Sequence, residues 1–349
     1  MGSHCASSYS VRLTLLARAA ASRLWRTSAW RALCLLALAA ALGADVVWEV
    51  QRPRAAIAAG ISQLVPPSER SLLRAELHLA PEATTVPHPL LLSVGGPMYC
   101  VQIAAEAQHL GASRLCTDYG PNGYTRVGTR ALRREDWGDP AYDRAVAQLP
   151  DRLRALGVKI SQLIVIGVSY SGYGNAELVA THPELHPAAL LVLDSFLDLP
   201  SRYLALPPQQ ETRREIEAVV GHSFAEDPQA YLERSPSHHL EGLAQAMKAG
   251  MKLIDIWSIN PSEQHEFNGA TCAPSAHADW LRRLARLVGH PVTGYVTELQ
   301  HGHSLWDYGR SVLALAGYGS SLRPLPARAF LFRVGQPIPR GSVCTLGSK

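Results

Sequence analysis

The residues best placed for chemistry lie in Leu163-Ile164-Val165-Ile166-Gly167-Val168-Ser169-Tyr170-Ser171-Gly172. The apolar run rich in β-branched residues reads as a buried strand that stops at Gly167. Asn175 to Ala180 follows as a helix-like segment. A serine at the tip of a strand–turn–helix, with small residues two positions to either side, matches the nucleophile-elbow pattern. Such a turn lifts the Ser169 hydroxyl clear of the sheet. Gly167 and Ser171 fill the two flanking slots, although Ser171 stands where glycine is usual. Gly172 keeps the backbone permissive just after the turn. Ser171 is the competing nucleophile, but its flanks would be Ser169 and Tyr173, and a tyrosine does not fit a small-residue slot. The bland alternative is a Gly/Ser-rich turn with no chemistry. A serine hydroxyl is a poor nucleophile at neutral pH, so the reading requires a base elsewhere in the chain.

The elements around this segment alternate. Pro89 to Val94 reads as a core strand leading into the Gly95-Gly96-Pro97 turn, and Val101 to Leu110 as a helix. Ser113 to Asp118 is a second strand, running into the Gly-rich loop Tyr119 to Tyr124. Ala141 to Leu156 reads as one helix ended by Gly157. After the elbow come a helix to about His182 and a strand over Ala188 to Leu193. This alternation implies a parallel sheet covered on both faces. Ligands bind beyond the carboxyl ends of such strands, where Gly95, Gly96, Tyr119 and Ser169 would sit. Residues 196–250 interrupt the pattern with polar helical segments (Gln209 to Val220, Pro228 to Glu233, Leu240 to Ala249), the place for a cap. Met251 to Trp257 restores a strand. Ala276 to Val288 is an amphipathic helix with Leu281, Leu284, Leu287 and Val288 on one face. Val292 to Leu299 reads as the last strand, and the Pro/Arg-rich tail 321–349 as loosely ordered. In the preface, Ala75 to Leu79 alternates like an edge strand.

Composition narrows the classes. The 349 residues, 47% of them hydrophobic, suffice for one large α/β domain. The formal charge of +4 is more than accounted for by Arg12, Arg18, Arg23, Arg26 and Arg31. The remainder is near neutral, so the alkaline balance is no argument for nucleic acid. Fourteen histidines are scattered without an H-E-x-x-H or paired C-x-x-C pattern, so neither metal nor cofactor is expected. Residues 1–44 hold the apolar run Ala32 to Ala44, which suits an export signal and implies a periplasmic or secreted product. Extension through residues 32–48 would make it a membrane anchor, and the acid-free, Arg-rich leader also resembles a transit peptide. Cys100, Cys116, Cys272 and Cys344 are widely spaced; an exported chain would permit a disulfide, and buried free thiols fit equally.

The Gly-Gly-Pro turn, the Asp118-Tyr119-Gly120 loop, the Gly167-to-Gly172 elbow and Gly302-His303-Ser304 together resemble the α/β-hydrolase superfamily. The matched features run from about Leu90 to Gly317. The resemblance implies an α/β fold with a mostly parallel sheet flanked by helices, in a domain over 45–320 with a helical cap at 196–250. It implies the chain order nucleophile, acid, histidine. His303 becomes the base, with His301 as rival. The family's acid follows the strand ending at Trp257, usually as aspartate. Here that loop offers Glu263, then Glu266, with Asp198 as a third option. The oxyanion hole would use backbone N–H groups of Tyr170 and Gly96, since Pro97 has none. Tyr99, Tyr119, Tyr124 and Tyr170 could line a pocket, but tyrosines near strand ends more often pack.

The activity implied is cleavage of a small-molecule carboxylic ester, or of an amide or thioester, through a Ser-His-acid triad and an acyl-enzyme. An acyltransferase on the same scaffold is the runner-up, and a peptidase a third case. A non-catalytic binding protein on a hydrolase scaffold is the alternative of a different class.

Overall fold

Alternation at period two builds the centre of the molecule. In the strand Ile160–Val168, Leu163 and Val165 point to one face while Ile164 and Ile166 point to the other, and all four are buried. The neighbouring strand does the same: Leu190 and Val192 enter one core, Leu191 and Leu193 the other. Strands buried on both faces are near-continuous apolar runs, which is why these two stood out in the sequence.

The computed structural model describes residues 64–95, 100–101, 103–119, 124–127, 130–133, 136–259, 273–299, 309–319 and 324–336. Its strands are β1 (Leu73–His78), β2 (His88–Val94), β3 (Ser113–Tyr119), β4 (Tyr124–Val127), β5 (Arg130–Arg133), β6 (Ile160–Val168), β7 (Ala189–Leu193), β8 (Lys252–Ser258), β9 (Val292–Thr297) and β10 (Ala327–Phe332). Its helices are α1 (Ala104–Leu110), α2 (Pro140–Ala147), α3 (Leu149–Ala155), α4 (Tyr170–Thr181), α5 (Leu199–Ala205), α6 (Glu211–Val220), α7 (Pro228–Leu232), α8 (Leu240–Lys248), α9 (Ala273–Val288) and α10 (Gly309–Leu315). Eight strands form one sheet in the order β1-β3-β2-β6-β7-β8-β9-β10, and β4 pairs with β5 apart from it. The six strands from β3 to β9 in that order run parallel; β1 and β10 are antiparallel edges. Helices α2, α3, α4, α8 and α9 contribute to the core on one face, and α1, α5, α6 and α10 to the core on the other.

Two expectations change. The helix expected over Ala141 to Leu156 is two helices meeting at Gln148. Pro150 explains the break: its ring removes a helical N–H and crowds the carbonyl four residues back. The tail after residue 321 contains β10, paired along its length with β9, whereas loose order was expected. The segment alternates, and Phe332 is buried against Trp257 with ring centroids 5.9 Å apart. Core burial of one such ring stabilises by about 1.5–3 kcal/mol, which adds to the pairing with β9 along the strand.

Within 196–250, α5 and α7 are each started by an aspartate cap. Asp198 accepts from the Ser201 N–H at 2.8 Å and Asp227 from the Ala230 N–H at 3.1 Å. Tyr203, Phe224 and Tyr231 meet edge-to-face or tilted and tie these segments together. Helix α8 is different. It packs on α4 and α9, and Gly242 lies so close to the Ala180 carbonyl that any side chain there would collide. Among the described residues no helix is long and apolar enough to cross a membrane. Residues 1–44 and 32–48 lie outside the described residues.

Candidate active site

Strand β6 ends at Val168 and α4 begins at Tyr170, so Ser169 alone makes the turn. Its backbone sits at φ 55 and ψ −125, a conformation that costs a non-glycine residue about 1–3 kcal/mol. Neighbours hold it there. The Ser169 N–H donates to the Leu193 carbonyl at 2.9 Å. The Ser169 carbonyl accepts from the Tyr173 N–H at 3.1 Å and from the Ser195 hydroxyl. The flanking positions must be small, as the sequence pattern implies. A Cβ on Gly167 would collide with Asn175 and Ser171, and one on Gly172 with the Ser195 hydroxyl.

The two serines of the elbow have different fates. Ser169 is partly exposed. Ser171 is fully buried, its hydroxyl 2.7 Å from that of Ser93 and within reach of the Asn175 amide. Ser171 is therefore a strut between α4 and β2, and its place in a usual glycine slot does not obstruct the turn. Asn175 adds a second strut by accepting from the Val94 N–H at 3.1 Å.

The strand order with a strained serine between the central strand and its helix decides the fold. The chain has the α/β-hydrolase fold. Among solved structures it is similar to the acylaminoacyl peptidase of Pyrococcus horikoshii at 15% identity and TM-score 0.46, over 67% of this chain and 36% of that one. It is similar to a puromycin-hydrolyzing peptidase of Mycobacterium tuberculosis at 17% and 0.48, over 73% and 40%. It is similar to carboxyl esterase 2 of the fungus Tuber melanosporum at 18% and 0.45, over 70% and 81%. The chain thus spans well under half the length of the two peptidases. No family model and no curated protein matches it.

In this hydrolase fold the expected site residues divide sharply. Ser169 and Tyr170 stand at the elbow, Tyr170 as the first residue of α4. Gly95 adopts φ 107, the left-handed region that its turn demands, while its N–H donates to the Thr117 carbonyl at 3.0 Å. Gly96, Glu263, Glu266, His301 and His303 lie outside the described residues. Asp198 is described and engaged. One oxygen caps α5, and the other accepts from the Ser237 hydroxyl at 2.8 Å with His238 at 3.4 Å. Tyr119 stacks on Tyr142, and Tyr170 meets Trp137 edge-to-face, so both pack.

Two ionisable groups beside the elbow were not singled out in the sequence. Asp255, midway along β8, faces His277 of α9, and both are 0% exposed. His277 Nδ1 lies 2.8 and 2.9 Å from the two carboxylate oxygens. Its Nε2 lies 2.6 Å from the Ser195 carbonyl. The pair looks like the acid–base half of a triad, yet both ring nitrogens are occupied, so it cannot take a proton from Ser169. Burial opposes the imidazolium, but Asp255, its hydrogen bond, the Ser195 carbonyl and Asp194 outweigh this and raise the His277 pKa above 6.5.

The second group is Asp136, Asp143 and Glu177, all buried. Burial, then neighbouring carboxylates, pushes Asp143 and Glu177 well up. Asp136 rises to about 6, chiefly by burial, against hydrogen bonds from the Gly138 N–H and the Tyr170 hydroxyl. Arg234 is the cation that counters all three. As for metals, Glu76, His78 and Cys100 bring donor atoms within 4.8 Å of one another. Cys100 is bonded to Cys116, however, so its sulfur is not a free thiolate ligand.

Proposed function

We propose that the chain is a serine hydrolase that cleaves carboxylic esters, with amides and thioesters as the other acyl groups the chemistry would accept. The single observation that carries this reading is Ser169: partly exposed, at positive φ, at the amino end of α4. Ser169 would attack the acyl carbon and form an acyl-enzyme. His303 would take the hydroxyl proton and return it to the leaving group, as an unperturbed imidazole near pKa 6.5 allows. Backbone N–H groups of Gly96 and Tyr170 would hold the oxyanion.

Glu263 is the carboxylate assigned to orient His303, with Glu266 second. A further assignment comes from Asp194. It directly follows β7, the strand beside the elbow strand, at φ 47, with Oδ1 accepting from the Ser258 N–H at 2.8 Å. It also satisfies the order nucleophile, acid, histidine. Asp198, with both oxygens engaged, is the weakest choice.

A fluorophosphonate probe tests the reading directly: the wild type labels and Ser169→Ala does not. Turnover of a panel of p-nitrophenyl esters should fall by roughly a thousandfold or more in Ser169→Ala. No labelling of the wild type favours the binding-protein alternative, and a competing alcohol that captures the acyl group favours the transferase. Among Glu263→Gln, Glu266→Gln and Asp194→Asn, the variant with the largest loss of kcat identifies the acid.

We also propose that residues 1–44 direct export or, with 32–48, anchoring. The Cys100–Cys116 disulfide supports this, since such bonds persist in oxidising compartments. Amino-terminal sequencing of the mature protein distinguishes cleavage from retention.

A further inference from the structure

The buried pair reaches the elbow through one residue. Ser195 connects to both sides: its carbonyl lies against His277 Nε2, and its hydroxyl donates to the Ser169 carbonyl. A carbonyl oxygen only accepts, so Nε2 must carry the hydrogen, and the second proton lies between Nδ1 and Asp255. His277 is fixed in turn by stacking on Trp257, with centroids 5.2 Å apart and ring planes 14° apart. The residue before Ser195 is tied to β8 twice, through the Asp194 N–H to the Ile256 carbonyl and through Oδ1 to the Ser258 N–H. Gly172 leaves the space the Ser195 hydroxyl occupies.

We propose that His277, held by Asp255, is a positioning residue for the nucleophile: it fixes Ser195, whose hydroxyl grips the Ser169 carbonyl and keeps residue 169 in its strained conformation. This rests on the reading of Ser169 as the nucleophile. The physical need is clear. Residue 169 would relax if its carbonyl could rotate, and relaxation would swing the hydroxyl away from its base. The Tyr173 N–H supplies one bond to that carbonyl, as in any first helical turn. The Ser195 hydroxyl supplies the other, from outside the helix. Among the described residues, the charged groups that act on His277 are Asp255 and Asp194, both acidic. When the ring loses its second proton, the Nδ1 lone pair meets the Asp255 carboxylate and the assembly is pushed apart. The grip on Ser169 therefore weakens above the ordinary histidine range.

The test compares fluorophosphonate labelling rates of wild type and Ser195→Ala from about pH 6 to about pH 10. Removing one hydroxyl leaves the fold in place, and the melting midpoint should stay within a few degrees of wild type. The variant should label about 10- to 100-fold more slowly, since a small misplacement of a reacting group carries a cost of that order. For p-nitrophenyl acetate, kcat should fall with KM unchanged. The wild type should lose rate at alkaline pH, and Ser195→Ala should lack that loss, because titration of the pair no longer reaches residue 169. Wild type that labels, with Ser195→Ala labelling at the same rate, overturns the proposal and leaves the serine hydrolase intact. A slower variant that keeps the alkaline loss makes Ser195 a packing residue and also overturns it. Failure of the wild type to label removes the nucleophile itself.

Discussion

The two buried ionic regions near the elbow, one linked to it through Ser195 and the other packed on α4 itself, solve the same problem in opposite ways. Asp255 and His277 form a matched pair in which both ring nitrogens and both carboxylate oxygens have partners. Asp136, Asp143 and Glu177 crowd like charges together around one arginine, and Asp143 Oδ1 and Glu177 Oε2 are buried without a hydrogen bond. Burial alone therefore does not decide what a charge costs. Burial raises the Asp255 carboxyl too, but His277 draws it back down, whereas Asp143 and Glu177, countered by Arg234, are pushed well up.

Breaking the pair should have the largest effect. Asp255→Ala leaves His277 buried beside a void and should destabilise by about 3–5 kcal/mol in denaturant unfolding. Asp255→Asn should be milder, because its amide can donate to Nδ1 while Nε2 still donates to Ser195. Equal losses in the two variants would mean that the charge, and not the hydrogen bond, carries the pair.

Removing a charge from the crowded region should act in the other direction. Asp136 has a raised folded pKa, so its protonated form is favoured by folding. Its contribution is fully present at acid pH and lost as pH rises from the ordinary 3.8 through about 6. Asp136→Asn should escape that loss and gain on the order of 1–3 kcal/mol over wild type above the window, with little gain below it. A destabilised Asp136→Asn at neutral pH would refute the crowding account. Glu177→Gln should likewise raise the melting midpoint at neutral pH, by a few degrees, with the gain vanishing in acid.

The smallest effect sharpens the contrast by pH alone. His277 has a raised folded pKa, so its contribution is complete below 6.5 and lost only above it, as pH passes the folded value. Stability against pH should thus lose the Asp136 contribution in a first stage, from 3.8 to about 6, and the His277 contribution in a second, above 6.5. Asp136→Asn should flatten the first stage and leave the second.

What the sequence reveals follows distance along the chain. The elbow is a ten-residue pattern, so its strand, its turn at Ser169 and its helix were all legible. The period-two cores of β6 and β7 were legible for the same reason. The Asp255–His277–Ser195 contacts were not, because 22 and 82 residues separate the partners. A signal was present: a carboxylate inside the apolar run Leu253-Ile254-Asp255-Ile256-Trp257 needs a buried partner. Strand β10 was obscured by the Pro and Arg around it, since six alternating residues gain strand character only when β9 lies alongside. The break between α2 and α3 could have been read from Pro150.

That carboxyl-terminal strand has a practical consequence for anyone producing the protein. A recombinant version cut short before Ala327 would leave β9 with a naked hydrogen-bonding rim, inviting intermolecular pairing and insoluble material. It would also uncover Trp257, on which the His277 ring rests. Purification handles are therefore best kept well clear of residues 327–332.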